Sequence, residues 1–135
     1  FTPWTTLSGY LELLEFVQNY DLVYHLDPVQ YSIRLLLPPG SWLLDIPEIQ
    51  SSLGRLVQKD FVYTWRHPDP QVDMLQQQVA RVAEEAANSG EDPATTFCRI
   101  KELTVATIFG PWTVAQPRYR RRSVRPPQLT EAWFC

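Results

Sequence analysis

Cysteine is scarce in this 135-residue chain, with only Cys98 and Cys135 present. Two thiols are far too few for a disulfide framework, so each is either inert or chemically employed. Cys98 lies in an apolar-periodic stretch and reads as a small buried hydrophobe. Histidine is equally rare: His25 and His67 stand singly, with no second ligand at metal spacing, which disfavours a zinc site. His67, in TWRHPDP, reads as a turn or capping residue, and Asp69 and Asp73 as a helix cap and a solvated acid. No run nears the ~18 consecutive apolar residues that a membrane helix needs, and the first residues lack the basic segment of a signal peptide. A soluble, cytoplasmic protein without a membrane partner is the expectation. No Ser-His-Asp set, phosphate-binding glycine loop or heptad repeat occurs.

What is there is an ordinary globular balance, 44% hydrophobic and 20% charged. The net charge of −3 is unevenly spread: the first 117 residues hold 7 basic and 14 acidic groups, the last 18 hold 5 and 1. The stretch RYRRRSVRPP, residues 118–127, is rich in Arg and Pro and reads as an extended, solvated linker. Arginine forks phosphate oxygens well, but the acidic body would repel a nucleic-acid backbone, so nucleic acid is a disfavoured partner.

The first helix follows FTPW, capped by Thr5 or Thr6, with Leu7, Tyr10, Leu11, Leu14 and Val17 on one apolar face. Asp27-Pro28 reads as a turn, and VQYSIRLLL, residues 29–37, as the strongest strand of the chain, stopped by Pro38-Pro39-Gly40. A second helix is expected from an Asp45 cap, with Ile49, Leu53, Leu56 and Val57 as its buried stripe. DFVYTWRH reads as a short strand. Asp69-Pro70 and Asp92-Pro93 open two further helices, which close at Asn88-Ser89-Gly90 and before Gly110. A long apolar strand with so few neighbours fits a piece of a larger α/β barrel better than a free-standing sheet. Both ends read as cut: the chain starts without Met almost at a helix, and LTEAWFC ends on Trp133, Phe134 and a thiol, which cost free energy in water.

FTPWTTLSGYLELLEFV followed by HLDPVQYSIRLLLPPGSWLLD resembles the last strand-end, helix and strand of the partial barrel in radical S-adenosylmethionine enzymes, particularly the cobalamin-binding branch. WRHPDPQVDMLQQQV resembles the helical extension that follows there, and LTEAWFC the start of the tail in (seleno)proteins of that group, which finish in Cys-Cys-Ala-Glu-Pro or Cys-selenocysteine-Ala-Glu-Pro. The resemblance implies an α/β fold: barrel units over residues 1–57, a helical extension over 58–110, and a linker with a redox tail over 111–135. It implies that the chain ends at a selenocysteine codon read as stop, and that its partner is the missing N-terminal part of the same polypeptide. S-adenosylmethionine, a four-iron four-sulfur cluster and cobalamin are implied for the full-length protein, with a small-molecule or peptide substrate. The three-cysteine cluster motif is absent here, so the fragment alone is expected to hold none of these groups and to be inactive.

Within the fragment the resemblance assigns Cys135 as the first Cys of the redox tail. Thr2, Trp4 and Thr5 lie just past one strand end, where barrel enzymes build chemistry. Gln30, Ser32, Arg34 and Leu36 are expected on one face of the other strand, with Arg34 turned to the lumen to pair with a carboxylate of the methionine moiety or substrate; the plainer alternative is an edge arginine. Ile33, Leu35 and Leu36 would border the adenine. A second reading is a small winged-helix-like module, with the Trp65 hairpin and the Arg118 to Arg125 run meeting nucleic acid or protein.

Overall fold

The structure, a computed structural model, describes residues 1–110; the arginine-rich linker and Cys135 lie outside the described residues. The fold is mixed α/β and rich in helix. In chain order it runs α1 (Leu7–Asn19), three single 3-10 turns (Val23–His25, Pro28–Ser32, Trp42–Asp45), α2 (Pro47–Ser52), β1 (Leu53–Val57), β2 (Val62–Trp65), α3 (Pro70–Ser89) and α4 (Pro93–Phe109).

The helix ends follow their capping chemistry. The Thr6 side chain accepts the Gly9 N–H at 3.0 Å and starts α1. Asp69 and Asp92 do the same for α3 and α4, accepting from Gln71 and Ala94, each with a proline in the first turn. Gly90, at φ 66°, closes α3 in the left-handed conformation that glycine adopts without strain.

Two sequence expectations are overturned. Residues 29–32 are not strand: the Asp27 carboxylate accepts the Val29 N–H at 2.9 Å, and Pro28 sits in the first turn of a 3-10 helix. Gln30 and Ser32 therefore do not share a strand face with Arg34. Only residues 33–37 run on without a helical turn, and Leu37 forms an isolated antiparallel bridge with Tyr63. The second helix is also shorter than expected. Asp45 belongs to the preceding 3-10 turn, Ile46 takes the cap position without a side-chain acceptor, and the helix ends at Ser52. Leu53, Leu56 and Val57 pair instead with Trp65, Tyr63 and Val62 in an antiparallel hairpin, because cross-strand contact with these aromatic and β-branched partners outweighs a helical stripe. Among the described residues this hairpin is the only sheet.

Residues 33–37 are bonded to two other backbones. Tyr63 donates its N–H to the Leu37 carbonyl at 2.8 Å. The Phe1 amine donates to the Ile33 carbonyl and the Phe1 carbonyl accepts from the Leu35 N–H. Bonds to the two residues that flank Arg34 make one rung of a parallel ladder.

Two apolar cores result. The larger joins α1, α3 and α4 through Tyr10, Leu14, Val17, Leu75, Val79, Phe97 and Ile100, with Val23, Tyr24 and Tyr31 from the turns. The smaller gathers Leu37, Ile49 and Trp65 beneath the hairpin, with Leu35, Leu43 and Ile46 packed around them. Cys98 is half-buried on α4. Residues 1–57 and 58–110 contribute to both cores, and the division at residue 57 falls at the end of β1.

One extra residue in β1, between Leu53 and Leu56, forms a bulge that sets Gly54 against Thr64. A Cβ on Gly54 would stand 2.3 Å from the Thr64 hydroxyl oxygen. Gly54→Ala should therefore destabilise the chain by about 1–3 kcal/mol in chemical denaturation. Adding Thr64→Ala should restore part of the loss; an unchanged midpoint in Gly54→Ala alone would contradict the packing described.

Candidate functional site

Arg34 is the most heavily engaged polar side chain of the residues singled out by sequence. Its Nη1 donates to Asp73 Oδ1 at 2.7 Å and its Nη2 to the Trp65 carbonyl at 2.8 Å. The guanidinium carbon stands 3.7 Å from the centroid of the Trp65 ring, a cation–π stack on a side chain only 6% exposed. Trp65 in turn donates its indole N–H to the Leu35 carbonyl at 2.8 Å. Asp73, read from sequence as a solvated acid, is three-quarters buried and also accepts the His67 backbone N–H through Oδ2. His67 is a turn residue, as its spacing implies: its Nδ1 accepts the Asp69 N–H at 2.9 Å.

The structure divides the expected cofactor-binding residues between two clefts. Arg34, Leu35 and Leu36 line a cleft of about 450 Å³ with Trp65, Asp73 and Gln76. Thr2, Trp4 and Gln30 line a second, of about 330 Å³, with Phe1, Tyr10 and Tyr31. Ser32 is buried and inward-facing: its hydroxyl donates to the Val29 carbonyl and its own carbonyl accepts from Gln76 Nε2. Ile33 is exposed. Cys135 lies outside the described residues. Asp73 and Gln76 are the partners that sequence reasoning missed; their position one turn apart at the start of α3, facing residues 32–34, needed the tertiary pairing to become visible.

In the second cleft the Tyr10 hydroxyl donates to the Tyr31 carbonyl at 2.8 Å. Burial first, and then neighbouring Tyr31, push its pKa far above the usual phenol range. Burial, followed by the charge of Arg34, lowers the pKa of the Phe1 amine. Among the described residues no group of three or more His, Cys, Asp or Glu side chains converges to hold a metal ion, and no helix is long and apolar enough to cross a membrane.

Comparison of the chain with known protein families, with curated proteins and with solved structures finds no match. The site must be argued from its own geometry.

Two outcomes follow. Asp73→Asn removes the carboxylate from a partly exposed Arg34 pair and should cost about 1–3 kcal/mol of stability in urea denaturation; no loss would mean that Arg34 is held by Trp65 alone. The raised Tyr10 pKa means that the folded chain keeps this proton more tightly than the unfolded one. The stability it contributes is complete below about pH 10 and is lost as the pH climbs towards the folded value. Tyr10→Phe should flatten that alkaline fall in unfolding midpoints, at the cost of the Tyr31 hydrogen bond.

Proposed function

We propose that this chain is the C-terminal part of a radical S-adenosylmethionine enzyme of the cobalamin-binding kind, carrying the last units of its partial barrel, a helical extension and a redox tail. The observation that carries the reading is the parallel rung between Phe1 and Arg34, with α1 between the two backbones. Parallel neighbours joined through a helix are the repeating unit of an α/β barrel.

Exposed apolar side chains point the same way. Leu13, Phe16 and Tyr20 form a stripe on α1, and Ile33 and Leu36 stand open on the 33–37 segment. In a barrel these positions face the preceding helix and strands.

A four-iron four-sulfur cluster, held by residues outside this chain, would supply one-electron chemistry. The described residues do not fit it: Cys98 is their single cysteine, and three clustered thiolates are needed. No described residue is assigned to cobalamin either. What this chain contributes is positioning. Ile33, Leu35 and Leu36 would border the adenine of S-adenosylmethionine, with Thr2 and Trp4 in the second cleft. Arg34 meets a ligand carboxylate by sharing a guanidinium already anchored on Asp73 and Trp65. Cys135, outside the described residues, would serve as a redox thiol of the tail. The winged-helix alternative has its hairpin, but Trp65 is buried with its N–H committed, so it is not available to stack on a base.

The test uses this chain and the longer polypeptide. Reconstituted with iron and sulfide under argon, the 135-residue chain should take up no stoichiometric cluster; the longer polypeptide should, and should cleave S-adenosylmethionine. In that polypeptide Cys135→Ser should keep cluster and cleavage but lose tail-dependent turnover. Wild-type turnover with thiol reductants excluded would remove the redox role from the tail, and a cluster on the short chain would overturn the assignment.

A further inference from the structure

Five arginines lie among the described residues, and three are paired: Arg34 with Asp73, Arg81 with Glu85, and Arg99 with Glu85 and Glu91. The other two, Arg55 and Arg66, have no ion-pair partner among the described residues, and both line the same cleft. This cleft, of about 890 Å³, opens where the end of α2 runs into the hairpin. Its wall includes Ser52, Gly54, Thr64 and His67, and no carboxylate lines it.

The local backbone accounts for the arrangement. The β1 bulge sets both Gly54 and Arg55 against Thr64, and the Arg66 N–H donates to the Ser52 carbonyl at 3.0 Å, which holds the end of α2 beside the strand that carries Arg66. Bulges of this kind re-aim side chains from the regular alternation. The Ser52 hydroxyl makes no hydrogen bond among the described residues. The His67 Nδ1 accepts from the Asp69 N–H, and its buried Nε2 lacks a hydrogen-bond partner among the described residues. The cleft thus presents donors and positive charge in excess, with no carboxylate in its own lining; the nearest acids, Asp60 and Asp73, line the adjoining Arg34 cleft that Arg66 also borders and form no ion pair with it. Elsewhere in the described chain, guanidinium groups so placed have found a carboxylate.

We propose that this cleft binds an oxyanion, the phosphate or carboxylate group of a small ligand, held between the guanidinium groups of Arg55 and Arg66. Each fork can give two parallel N–H bonds to such a group, and two positive charges match a doubly charged anion. This site adjoins the Arg34 cleft, with which it shares Thr64, Trp65 and Arg66, but does not rest on the function proposed above.

The experiment is a residue-resolved amide NMR titration of the 135-residue chain with inorganic phosphate, with succinate, and with sodium chloride at matched ionic strength. Saturable shifts at Gly54, Arg55, Thr64 and Arg66 are expected with phosphate or succinate, and the tighter of the two names the ligand class. Residue resolution separates this site from anion binding by the arginines of residues 118–127. Arg55→Gln and Arg66→Gln, both at exposed positions, should keep the thermal midpoint and each weaken binding by roughly tenfold. Arg66→Lys should fall between, keeping charge but not the fork. Equal shifts with chloride, titrations unchanged in both glutamine variants, or shifts centred on Arg81 and Arg99 would each overturn the proposal.

Discussion

The Arg34 side chain joins three parts of the chain at one point. Its guanidinium ties the 33–37 segment to β2 through the Trp65 ring and carbonyl, and to α3 through Asp73. The small core beneath the hairpin and the large helical core meet across this contact. A lone buried cation would be costly, but here it is offset by a carboxylate, a carbonyl and an aromatic face, and part of it remains in water. Asp73 is held in turn by the His67 N–H, which fixes the approach of the chain to α3.

The same contact explains how a two-stranded hairpin can be stable. An isolated hairpin is marginal in water. This one is extended by an antiparallel bridge from Tyr63 to Leu37, and the 33–37 segment is itself bonded to Phe1.

Much of the helical framework was legible from local chemistry. Three Asp-Pro pairs occur, at residues 27, 69 and 92, and all three act alike: aspartate caps, proline fills the first turn. At 69 and 92 the following periodicity is helical and the reading holds. At 27 the β-branched and aliphatic run VQYSIRLLL masked the cap, although the same signal was present. The spacing extends the second helix too far because Ile49, Leu53 and Leu56 fit both a helical stripe and, beyond Ser52, a strand that pairs with Val62–Trp65. Thr2, Trp4 and Gln30 do come together in one cleft, while Arg34, Leu35 and Leu36 form another. Which carboxylate Arg34 would hold could not be read from spacing, since Asp73 lies 39 residues away.

The central claim is that these residues close a larger radical S-adenosylmethionine barrel. The most direct measurement is the nucleotide sequence on both sides of the reading frame. The account predicts an in-frame upstream region encoding a three-cysteine motif and further barrel strands, and downstream a UGA or cysteine codon followed by Ala-Glu-Pro codons. A start codon immediately before Phe1, or a downstream frame without that tail, would contradict it.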